Sequence, residues 1–104
     1  MLSQPKIILI GYCQQDPEFL AHLSSNSLLE LTVFAQQVQI AAESEPVARR
    51  LYTCLFSGEL YNKARSYLKP NQRMRLQGQY VLFKKQLDRG WVNKPTVWVE
   101  QFTV

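Results

Sequence analysis

The sequence predicts an all-β domain, with five strands closed into a small barrel and one helix between the third and fourth strands. Three observations carry this. Apolar and polar residues alternate along most of the chain, which is the period of a half-buried strand. Once, just after Gly58, the period changes to that of a helix. Turn-forming residues such as Asp16-Pro17, Lys69-Pro70-Asn71 and Asp88-Arg89-Gly90 punctuate the runs. The length of 104 residues suits one domain over 1–104, and 46% hydrophobic residues suffice for a core.

The first strand is Lys6 to Gly11, a short apolar run rich in β-branched residues. Asp16-Pro17 reads as a turn, and Phe19 to Ser27 shows no clear helical period. Leu28 to Gln37 alternates, with Leu29, Leu31, Val33 and Ala35 on one face and Glu30, Thr32, Phe34 and Gln36 on the other. Val38 to Ala48 reads as a hairpin loop. The third strand, Arg49 to Ser57, points Tyr52, Cys54 and Phe56 to one face. Leu60, Ala64, Tyr67 and Leu68 recur at helical spacing and form the buried face of the helix. Arg73 to Gln86 alternates again, with Met74, Leu76, Gly78, Tyr80 and Leu82 inward. Mid-strand Gly78 permits a sharp coil. The fifth strand is Thr96 to Val104, with Trp98 and Phe102 on its inward face. The order β-β-β-α-β-β is that of an OB-fold, a Greek-key barrel. A ferredoxin-like sandwich would need a helix directly after the first strand.

Several functions are excluded on composition and motif. No apolar run approaches the ~18 residues of a membrane span, and the first residues lack the pattern of a signal peptide. Cys13 and Cys54 are far apart and His22 is the only histidine, so neither a metal site nor a cofactor is expected. The thiols are expected to be reduced, which fits a cytoplasmic setting. No Gly-rich phosphate loop and no nucleophile–base pair is present, so an enzyme is not expected.

The net charge of +4 is unevenly spread. Residues 1–46 hold one basic and five acidic residues, whereas residues 47–104 hold eleven basic and three acidic ones. A basic half in a small domain suggests an anionic partner, and nucleic acid is the usual one.

At this point specific pieces align in order. Lys6-Ile-Ile-Leu-Ile-Gly11 is followed by Asp16-Pro17-Glu18. Later come Phe56-Ser57-Gly58-Glu59-Leu60, then Tyr67-Leu68-Lys69, then Leu76-Gln77-Gly78-Gln79. In this order and spacing the chain resembles the bacterial single-stranded DNA-binding protein family. The resemblance implies an OB-fold, subunit assembly, and sequence-nonspecific binding of single-stranded DNA in replication, recombination or repair. It also implies a nucleoid-associated place in the cytoplasm and contacts with replication proteins. The family's main stacking aromatics fall at Leu51, Ser57 and Lys85, none of them aromatic here. The family's long acidic-tipped tail is not expected, because the chain stops at the fifth strand. A tail-less relative, the primosomal replication protein N, is the alternative within the same fold. An OB module that docks protein through Leu51 and Leu55 is another.

Single strands are held by cations on phosphates and by bases stacked on aromatic faces. The outward side of the fourth strand offers Arg73, Arg75, Phe83 and Lys85. Arg49 and Arg50 open the third strand. Lys84, Arg89 and Lys94 lie on or near the last hairpin, with Trp91 expected at its exposed tip. Phe34 is outward on the second strand. Ile7, Ile8, Leu9 and Ile10 are apolar on both faces, so one face is expected to meet a second subunit in a dimer or tetramer.

Overall fold

The computed structural model describes residues 5–23, 27–41, 50–88 and 90–104, the side chains of 23, 82–87 and 91–95 excepted. The elements run β1 (Lys6–Tyr12), α1 (Pro17–Leu23), β2 (Leu28–Ile40), β3 (Leu51–Ser57), α2 (Glu59–Tyr67), β4 (Arg73–Leu87) and β5 (Gly90–Thr103). The strands close in the order β1-β2-β3-β5-β4, and β4 returns to β1. All pairings are antiparallel except β3 with β5. This is the five-stranded barrel that the alternation predicts, with α2 between β3 and β4.

The core follows from the alternation. Leu29, Leu31, Val33 and Ala35 of β2 are buried, as are Tyr52, Cys54 and Phe56 of β3. Met74 and Leu76 join them from β4, and Val97, Val99 and Phe102 from β5. Phe56 and Phe102 meet edge to face, with ring centroids 5.4 Å apart. That is a favoured arrangement of two rings.

Two glycines let the strands press together. A methyl group on Gly11 would lie 2.1 Å from the Phe34 carbonyl oxygen, and one on Gly78 would lie 2.2 Å from the Trp98 carbonyl oxygen. Both sites coincide with a register shift, between Ile10 and Gly11 against β2 and between Gln77 and Gly78 against β5. Each shift is a bulge that coils the sheet where the barrel must close.

Several expectations are corrected. A helix, α1, does follow the first strand. Asp16 caps it: the Glu18 and Phe19 amides donate to Asp16 Oδ1 at 3.1 and 3.4 Å. Pro17 occupies the first helical position, where its missing N–H costs nothing. Asp-Pro is therefore a helix start here rather than a simple turn. His22 is exposed, in the last turn of this helix rather than in a loop.

β2 runs on to Ile40, past the expected start of the loop. β5 begins at Gly90, so Trp91 sits in a ladder opposite Gln86 and not at a loop tip. On α2 it is Tyr61 that is buried, its hydroxyl donating to the Ala21 carbonyl at 2.8 Å, while Tyr67 is exposed. Packing against α1 selected that face, and α1 was not anticipated. Among the described residues no helix is long and apolar enough to cross a membrane.

Candidate nucleic-acid interface

The outward residues of four strands meet in one row. Arg73 on β4 pairs with Tyr12 on β1, Tyr12 with Phe34 on β2, and Phe34 with Leu51 on β3. The Tyr12 and Phe34 rings lie with centroids 5.4 Å apart and planes at 33°. Phe34 is 39% exposed and Leu51 55% exposed. Arg50, also exposed, precedes Leu51, and its carbonyl accepts from the Ala35 amide at 2.7 Å. The row is thus an aromatic pair with an arginine at each end.

Its location is set by where β1 stops. Among the described residues, the β1–β2 register ends at Tyr12 and Phe34. The chain turns there, and Gln15 Oε1 accepts the Thr32 amide at 2.8 Å. Tyr12, Gln14, Gln15, Thr32, Phe34 and Leu51 line a groove of about 190 Å³. That is smaller than the ~300–1,000 Å³ of a pocket that encloses a small molecule. An open groove over rings suits a flat group laid against the surface.

The other candidates fall in three groups. Arg75 is exposed on β4, one outward step from Arg73 and paired with Ile10 and Thr103. The backbones of Phe83, Lys84, Lys85, Trp91 and Lys94 lie in the β4–β5 ladder, but their side chains are outside the described residues. Arg49 and Arg89 lie outside them altogether. The four isoleucine and leucine residues of β1 divide. Ile7 and Leu9 are fully buried inside the barrel and have no area to give a partner. Ile8 and Ile10 are half-buried on the outer face.

Trp98 is a correction. It was expected in the core with Phe102, yet it is 42% exposed while Phe102 is buried. The register moves from Gln77↔Gln101 to Gly78↔Val99, so β5 holds one residue more than β4 at that point. The extra residue reverses the parity between Phe102 and Trp98. Tyr80, expected inward, does pack against the core, edge-on to Tyr52 with centroids 6.2 Å apart.

Sequence reasoning also missed Tyr12 and Gln15. The signal for Tyr12 was present, since it shares the parity of Ile8 and Ile10 and so faces outward. Gln15 carries no such signal, because its role depends on where the β1–β2 register ends. Among the described residues, no group of three His, Cys, Asp or Glu side chains could hold a metal ion.

No family model matches the chain, and no curated protein matches it in sequence. Solved structures do. Two crystal structures of the mitochondrial single-stranded DNA-binding protein Rim1 from S. cerevisiae superpose on it. One gives a TM-score of 0.61 at 10% identity, covering 96% of this chain and 91% of that one. The other gives 0.60 at 10% identity, covering 98% and 95%. The barrel is an OB-fold. At this identity the likeness is one of fold over nearly the full length of both chains. Within the OB-fold, the arginine–aromatic row crosses the outer surface of β4, β1, β2 and β3.

Proposed function

We propose that this OB-fold binds single-stranded DNA without sequence preference, as a binding factor in replication, recombination or repair rather than as a catalyst. The observation that carries the reading is the row Arg73–Tyr12–Phe34–Leu51 with Arg50 beside it. Arginines at both ends suit a backbone that must be held by its phosphates. Exposed rings between them suit bases, and every base has a π-face, so stacking is tolerant of sequence. The fold shared with a protein described as binding single-stranded DNA supports the same reading. The outer face of β1, with Ile8 and Ile10 half-buried there, supports assembly of at least a dimer.

The test is anisotropy of labelled oligo-dT. Phe34→Ala removes one stacking ring and is expected to cost ~1–3 kcal/mol of binding. Combined Arg73→Ala and Arg75→Ala should weaken binding and flatten its salt dependence. If neither change weakens binding, the row is not the site.

A further inference from the structure

The outer face of β3 continues past the row. Thr53 and Leu55 follow Leu51 at two-residue spacing, and both are half-buried. Leu55 is paired with Trp98 across the parallel β3–β5 contact. The bulge opposite Gln77 and Gly78 turns this indole outward, and the close approach of Gly78 to the Trp98 carbonyl holds the backbone beneath it. A large ring displayed from a rigid strand has little conformational freedom left to lose on binding.

Among the described side chains, the charge near Trp98 favours an uncharged group. Lys6 and Glu100 form an ion pair two residues further along the outer surface, so they neutralise one another. Glu30, paired with Leu55, lies on the far side of β3. Among these described side chains the one cation, Lys6, is already paired with Glu100, whereas the face of a base would find the indole.

We infer that Trp98 is a second stacking platform for the same single strand, separated from Tyr12 and Phe34 by the width of β3. This rests on the reading of the row as a single-strand site and names a further residue of it. The two platforms are four residues apart along β3 and two strand spacings apart across it. Along the backbone that is about 13 Å by about 10 Å, or at least about 16 Å on the diagonal, because the closed barrel curves between β2 and β5 and splays the rings apart. At ~3.4 Å per stacked nucleotide the strand needs at least about five nucleotides to span this. The span falls within the ~4–16 nucleotides that OB-folds cover.

The experiment compares wild type, Trp98→Ala, Trp98→Phe and Phe34→Ala by anisotropy with labelled oligo-dT of about fifteen nucleotides. Thermal melting and sedimentation accompany each protein. Trp98→Ala is expected to bind about tenfold more weakly, with melting and mass unchanged. Trp98→Phe should recover most of the loss, because a ring is restored. Should Trp98→Ala melt early, Trp98→Thr, with a β-branched side chain suited to a strand, gives the same comparison.

Wild-type affinity in Trp98→Ala, with Phe34→Ala still weakened, overturns the second platform and leaves the row standing. A changed mass with unchanged DNA affinity also overturns it, since Trp98 would then belong to a subunit contact. No binding by the wild type overturns both readings.

Discussion

Both thiols point into the barrel, and their protons are tied to its stability. Burial pushes the Cys54 thiol far above its ordinary value, and the nearby Cys13 adds in the same direction. Burial raises Cys13 as well. In the unfolded chain Cys54 ionises near 9.0, whereas in the barrel it keeps its proton. Its contribution is therefore complete below that pH and falls as pH rises above it, by up to about 1.4 kcal/mol per pH unit. Denaturant unfolding of wild type and Cys54→Ala at about pH 7 and about pH 10 checks this. Wild type should lose more stability than the variant over that interval. Parallel losses would mean that Cys54 ionises inside the fold. Alternation placed Cys54 inward from sequence, because β3 has no bulge between Tyr52 and Phe56. The same rule failed at Trp98, where one inserted residue separates it from Phe102. A period-two reading holds only as far as the next irregularity.

Bulges and caps decide what the elements do. At Gly78 the barrel needs β4 and β5 to approach more closely than any side chain allows. Gly78→Ala would force backbone apart, since the obstructing atom is the Trp98 carbonyl and not a flexible side chain. Overpacking of this kind typically costs ~1–3 kcal/mol, read as a lower denaturation midpoint. An unchanged midpoint would show that the strands can separate there at no cost.

Gly78 was legible in the sequence as a point of coiling, but the parity reversal it permits on β5 was not. α1 was hidden for a different reason. Its seven residues are too few for a helical period to show. What marks it is the cap, Asp16 followed by Pro17, which in sequence is equally a turn. The five strands were legible because each buries one face. The end of β2 was not, because the register shift opposite Ile10 and Gly11 interrupts its alternation before Ile40 returns to the core.

At the scale of the molecule, closure of the barrel limits how a second copy can attach. β1 is hydrogen-bonded on both edges, to β2 and to β4, so its edges are spent within the chain. What remains is its outer face, where Ile8 and Ile10 stand beside Gln39 and Gln37 of β2. Burying them against the same face of another copy gives a two-fold contact. Wild type should sediment as a dimer or larger. Ile8→Lys with Ile10→Lys should yield a folded monomer, because Ile7 and Leu9 still fill the core. A wild-type monomer at the concentrations of the DNA titration would contradict this.

The basic half of the sequence and the arginine–aromatic row point to one partner, a flexible polyanion with exposed bases. Oligo-dT affinity measured across a salt series, against a duplex of equal length, tests that most directly. With about five phosphates neutralised, log K should fall against log salt with a slope of roughly −3.5, and the single strand should bind more tightly than the duplex. A flat salt response, or tighter binding to the duplex, would contradict the account.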